Sequence, residues 1–281
     1  MRNNNTISLE DLKDYLGFGV AGNFANHLGE AGEADEFSVI ETKEKDAPKG
    51  LFPFYIPNND TFLGEFPICN DKINHNDMEH LQVEAEVALV CDFEFEDNKL
   101  IDIKPKFFSA FNDCSNRIQD GNKLSTKKNW GKESKGISSE FIEIDSFDSE
   151  GILDKFHIAS FVRRDGILKE YGTISAVNSY SYFFKQLKDW MVEKFNSQED
   201  QGPLEELSPF IQDIQNHKGL LIAAGATAYT EFGKHNFLEK GDEIFVYVYN
   251  AHFHAYQDII DDVAGMGVHL SQCSKLHQIV A

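Results

Sequence analysis

Val83-Glu84-Ala85-Glu86-Val87-Ala88-Leu89-Val90 is an apolar run interrupted by two carboxylates, and its reading decides the fold. The small and branched apolar residues predict a β-strand. On a strand, residues i and i+2 point the same way, so Glu84 and Glu86 share one face while Val83, Ala85 and Val87 take the other. Two like charges side by side on a half-buried surface repel, and burying either without a partner is costly. A hard divalent cation with oxygen ligands is the simplest compensation, and Asp113, further along the chain, offers a third oxygen donor.

The composition supports a folded body around this strand. The chain has 281 residues, 41% hydrophobic and 12% aromatic content, and 24 Phe, enough to bury a full core as one large domain or as a domain with a lead-in segment. A formal charge of −21 argues against nucleic acid or an anionic membrane as the main partner. The cysteines Cys69, Cys91, Cys114 and Cys273 are scattered without metal-binding spacing, which predicts free thiols in a reducing compartment. The first residues, MRNNNTISLEDL, lack the apolar core of a signal peptide, and no run reaches membrane-spanning length. The expectation is a soluble cytoplasmic protein.

Local patterns predict a β-rich α+β fold. Residues 7–16 have helical spacing, 50–57 form an apolar run, 81–95 read as strands, and 178–195 and 204–215 have helical periodicity. Arg164-Asp165-Gly166 predicts a turn between strand-like runs, residues 220–230 a strand entering a glycine turn, and 241–250 a strong final strand. Residues 123–135 form the one notably basic stretch of this acidic chain. Gly17-Phe18-Gly19-Val20-Ala21-Gly22 has the spacing of a dinucleotide loop, but the preceding residues read as helix where that motif needs a strand. A flexible or tightly turned backbone is the better reading.

Several residues carry possible chemistry. His27 and Glu30 fall on one side of a helical turn, where a carboxylate orients an imidazole and raises its basicity. Lys132 offers a positive charge for an oxyanion, although a solvated surface lysine is the default and Lys127, Lys128 and Lys135 stand nearby. Arg117 matches a substrate carboxylate bidentately, or makes a structural salt bridge. His252 and His254, with His269 and His277, lack a third ligand fixed by spacing, and Cys114 reads as a buried thiol.

The order of these segments resembles the fumarylacetoacetate hydrolase family. The resemblance rests on Asn23-Phe24-Ala25-Asn26-His27 with Glu30, Gly50–Pro57, Glu84-Ala85-Glu86, Asn112–Arg117, Trp130-Gly131-Lys132, Ala224–Thr227 and Phe237–Asp242, spanning about residues 15–250. It implies a mixed β-sandwich roll with flanking helices, assembled as a homodimer. It also implies Mg²⁺, with Mn²⁺ or Ca²⁺ as substitutes, held by Glu84, Glu86 and Asp113. His27, oriented by Glu30, would activate water, Lys132 would stabilise negative charge, and Arg117 and Thr227 would meet the substrate. Residues 1–70 would form a lead-in carrying the His27/Glu30 turn, 71–250 the metal-binding domain, and 251–281 an extension without family counterpart. The chain departs from the family at Ile56, where a lysine is usual, and at Ala224 and Ala226, where threonine is usual.

The implied function is metal-dependent hydrolysis or decarboxylation of a small 2-oxo or 1,3-dicarbonyl acid. Isomerisation or hydration of a related oxo acid on the same centre is the alternative, and a non-catalytic small-molecule-binding member is a second, motivated by Ile56 and the altered late turn.

Overall fold

The computed structural model describes residues 7–24, 29, 37–44, 46–118 and 122–281. Its first strands are β1 (Tyr15–Ala21), β2 (Gly50–Tyr55), β3 (Ile68–Cys69), β4 (Lys72–Ile73) and β5 (Leu81–Gln82). The central ones are β6 (Ala85–Glu96), β7 (Lys99–Asn112), β8 (Ser115–Asn116), β9 (Lys135–Ile137) and β10 (Ile142–Glu143). The last are β11 (Phe156–Arg164), β12 (Ile167–Ala176), β13 (Gly219–Ala223), β14 (Glu243–Asn250) and β15 (Cys273–Val280). The α-helices are α1 (Leu124–Lys128), α2 (Phe184–Ser197), α3 (Ser208–Ile211), α4 (Glu231–His235) and α5 (Tyr256–Val263).

The fold is mixed α+β and β-rich, built on a curled sheet. That sheet runs β2-β1-β13-β6-β7-β9-β3, with β10 added on β7; a second runs β12-β11-β14-β15-β4, and β5 pairs β8. The spine of the first sheet is the antiparallel β6–β7 hairpin, with strands of 12 and 14 residues. In β6, residues Ala85–Cys91 are all buried, so this strand is covered on both faces rather than half-buried as its sequence suggests. Val87 and Leu89 face the core shared with the second sheet, alongside Ile158, Val246 and Leu276. Ala88 and Val90 face the opposite core, with Phe52, Phe54, Phe111 and Leu221. Alternation along one strand thus feeds two hydrophobic layers.

Several local expectations change in the structure. Residues 7–16 form only a short 3-10 turn, Asp11–Asp14, before entering β1. The glycine-rich segment is strand β1 itself, paired parallel with β13 and antiparallel with β2. Its glycines have a packing cause: a Cβ on Gly17 would lie 2.4 Å from the Phe54 ring and one on Gly19 would lie 2.1 Å from the Phe52 ring. Pro53 is accommodated because β2 is an edge strand. The helical reading of 204–215 reduces to α3 and a 3-10 turn at Ile214–Asn216.

Other expectations hold. Asp165 and Gly166, at φ 50° and 76°, make the tight turn joining β11 to β12. α2 occupies most of the predicted 178–195 helix, and β13 and β14 lie where expected, although β14 is not the final strand because β15 follows and pairs with it. The 251–281 segment, without counterpart in the resemblance, is built into the second sheet. β15 pairs antiparallel with β14 from Cys273 to Ile279, and Ile259 and Val263 of α5 cover the outer face of that sheet. Among the described residues, no helix is long and apolar enough to cross a membrane.

The Gly19 contact is testable. Gly19→Ala should force the buried Phe52 ring aside and lower stability by about 1–3 kcal/mol in urea unfolding; an unchanged midpoint would contradict the close approach.

Candidate metal centre

The β6–β7 register builds the centre. Ala85 pairs with Asn112 and Glu86 with Phe111, so the next residues along each strand, Glu84 and Asp113, come opposite one another. The ladder continues there, with the Asp113 amide donating to the Glu84 carbonyl at 2.9 Å. Glu86 shares the sheet face of Phe111, Ala88 and Val90. Glu84, Glu86 and Asp113 each offer an oxygen, and these atoms lie within 4.8 Å of one another. All three residues are at most 4% exposed.

Three buried cations face them. Arg117 Nη2 donates to Glu84 Oε1 at 2.6 Å, and Lys128 Nζ donates to Glu84 Oε2 at 2.7 Å. Lys128 Nζ also lies 2.6 Å from Asp113 Oδ2, an ion contact outside hydrogen-bond alignment. Lys135 Nζ donates to Asp113 Oδ1. The two lysines further rest on aromatic faces, Lys128 on Phe52 and Lys135 on Phe54. Ser115 Oγ adds a hydrogen bond to Glu84 Oε1 at 2.6 Å.

The positive charge is unevenly shared. Glu84 and Asp113 each touch two cations, whereas Glu86 makes no ion pair among the described residues and accepts the Gly225 amide at 2.8 Å. Burial, then the neighbouring Asp113 carboxylate and, less strongly, Glu84, hold the Glu86 carboxyl well above the usual range; Lys128 and the Gly225 amide oppose this. Burial alone would lower the Lys128 ammonium, but Asp113 and Glu84 together raise it. Burial lowers Lys135, whose ion pair among the described residues is with Asp113.

The sequence-derived site residues separate into groups. Glu84, Glu86 and Asp113 come together, and Arg117 joins them. Arg117 is held on three sides, donating also to Gln82 Oε1 and to the Tyr229 hydroxyl, both at 2.8 Å, and so braces Glu84. Thr227 is buried, and its amide donates to the carbonyl of Ala85, between the two glutamates. Lys132 does not reach the cluster: its side chain is 78% exposed and lies 3.9 Å from Glu65. His27 and Glu30 lie outside the described residues.

Lys128 and Lys135 are the site residues that sequence reasoning passed over. Their signal was the basic stretch 123–135 in an acidic chain, but spacing alone cannot say which lysines turn inward. Ile56, at the family's lysine position, is buried in the core. Burial pushes the Cys114 thiol up to about 12, which keeps it protonated and unreactive. His277 pairs with Glu243, and His254 meets the Ser271 carbonyl.

The donor set fits a hard divalent cation: three converging carboxylates, one of them still short of positive charge. The brace predicts a contrast in stability. Arg117→Met should cost about 3 kcal/mol in denaturant unfolding by removing a partner of buried Glu84, whereas Lys132→Ala should change it by less than about 0.5 kcal/mol. Equal effects would contradict the placement of these two residues.

The profile of a family of unknown function, DUF5718, matches residues 33–280. No curated protein matches by sequence. Solved structures do. A 2-keto-3-deoxy-D-arabinonate dehydratase complexed with magnesium and 2,5-dioxopentanoate is 13% identical, with a TM-score of 0.52 over 98% of this chain and 80% of that one. Cg1458 with inhibitor is 17% identical, with a TM-score of 0.51 over 95% and 76%. An HpcE-type protein from Mycobacterium smegmatis is 16% identical, with a TM-score of 0.52 over 95% and 74%. These neighbours are members of the fumarylacetoacetate hydrolase family, and at such identities the likeness establishes the fold. The chain belongs to DUF5718 and has the fold of the fumarylacetoacetate hydrolase family.

Proposed function

We propose that this protein is a divalent-metal-dependent enzyme that cleaves a C–C bond of a small 2-oxo or 1,3-dicarbonyl carboxylic acid, by hydrolysis or decarboxylation. The observation that carries the reading is the buried Glu84/Glu86/Asp113 cluster at the end of the β6–β7 hairpin. Support comes from a neighbour of the same fold described with magnesium and a dioxo acid. Glu84, Glu86 and Asp113 would hold the ion, with Mg²⁺ the preferred species and Mn²⁺ or Ca²⁺ as substitutes. Bound there, the ion supplies Lewis acidity toward a carbonyl oxygen.

The chain's own residues do the rest. Arg117 fixes the Glu84 carboxylate through Nη2, while its Nε is anchored on Gln82. Lys135 holds Asp113 and sets a buried positive charge beside the cluster, the role first given to exposed Lys132. His27 takes a proton from water, with Glu30 orienting the imidazole. Thr227 meets the substrate from the turn after β13. A small oxo acid is the partner, and a homodimer the assembly.

A second reading, non-catalytic binding of such an acid, is favoured by Ile56 and by lysines already pairing two of the carboxylates. Isomerisation or hydration on the same centre is the remaining enzymatic alternative.

A product-resolved assay on acylpyruvates, oxaloacetate and hydroxydienoates, with Mg²⁺ and with chelator, separates these readings. Cleavage that needs Mg²⁺, with kcat/KM lowered about 100-fold or more by Glu86→Gln, is the expected result. Isomerised or hydrated products would transfer the assignment to those reactions. Metal binding with every acid unchanged would favour the binding protein.

A further inference from the structure

Lys128 is the terminal residue of α1, only 3% exposed, and its ammonium lies between two of the three carboxylates. The distances are 2.7 Å to Glu84 Oε2 and 2.6 Å to Asp113 Oδ2. Its position is firmly set. The Phe52 ring lies beneath the ammonium at 5.5 Å, and the following residue, Asn129, donates its side-chain amide to the Phe54 carbonyl at 2.8 Å. Lys135 pairs with Asp113 and Arg117 with Glu84, whereas Lys128 bridges both carboxylates. A cation held by both Glu84 and Asp113 would compete for carboxylates that Lys128 already occupies.

We propose that Lys128 is a resident counter-ion of the carboxylate cluster, occupying the cation position between Glu84 and Asp113, so that a divalent ion binds only in competition with it. The proposal rests on the metal-dependent reading above. Lys128 neutralises part of the buried charge when no metal is bound, so the fold does not depend on metal. An entering divalent ion brings twice the charge and also serves Glu86, which Lys128 leaves without an ion pair. The ammonium must then give up both carboxylate contacts, and this displacement weakens the apparent metal affinity.

The test is calorimetric titration of the metal-stripped full chain with Mn²⁺, comparing wild type with Lys128→Met and Lys128→Gln. Thermal unfolding in chelator and in Mn²⁺ accompanies it. Both variants should bind Mn²⁺ at least about tenfold more tightly than wild type. Metal-stripped variants should unfold at lower temperature than wild type and regain stability with Mn²⁺. Lys128→Gln keeps a polar donor and decides the question if Lys128→Met does not fold. Wild type binding Mn²⁺ as tightly as the variants, or more tightly, would overturn the competition while leaving the metal reading intact. Absence of binding in wild type and variants alike would overturn the metal reading, and this proposal with it.

Discussion

Three carboxylates buried within 4.8 Å of one another are the constraint on which this structure turns. Like charges at that range in a water-poor interior repel strongly, and each also loses its hydration. The chain resolves the problem by bringing Arg117, Lys128 and Lys135 to the same place from three separate segments. The sequence alone had pointed to a metal ion as the compensation. The structure shows that side-chain cations already supply much of it, and that the shortfall is concentrated on Glu86.

The architecture follows from that assembly. The β6–β7 register sets Glu84 against Asp113, and the turn after β13 aims the Gly225 amide at Glu86. β9 carries Lys135 at the far side of β7, while α1 delivers Lys128 over the Phe52 ring. The glycines of β1 belong to the same construction, because they let the Phe52 and Phe54 rings pack closely, and those rings form the floor under both lysines. Two of the three glycines in the segment with nucleotide-loop spacing, Gly17 and Gly19, thus have a steric explanation, while Gly22 takes a positive φ of 70° after the strand.

Legibility in the sequence followed the range of the interactions involved. The carboxylate strand, the Asp165-Gly166 turn, α2, β13 and β14 were readable because period and turn chemistry are local properties. Grouping Asp113 with the glutamates was readable from the resemblance in segment order. The strand character of β1 was hidden because its glycines answer to rings on a neighbouring strand. β15 was hidden because two of its inward positions are polar: Ser274 donates to the Glu140 carbonyl, and Gln278 accepts from Asn112. The choice of Lys128 and Lys135 over Lys132 depends on how α1 and β9 dock, which no spacing rule encodes.

Under the proposed competition, this centre is a carboxylate cage poised between a built-in ammonium and an external divalent ion. The fold is shared with a 2-keto-3-deoxy-D-arabinonate dehydratase complexed with magnesium and 2,5-dioxopentanoate, while Ile56 stands where the resembled family usually has lysine. The most direct measurement is a crystal structure of the full chain grown with Mn²⁺ and read by anomalous scattering. The account predicts an anomalous peak bounded by Glu84, Glu86 and Asp113, with the Lys128 ammonium moved from its bridging position. Saturating Mn²⁺ with no peak there, and Lys128 still spanning Glu84 and Asp113, would contradict it.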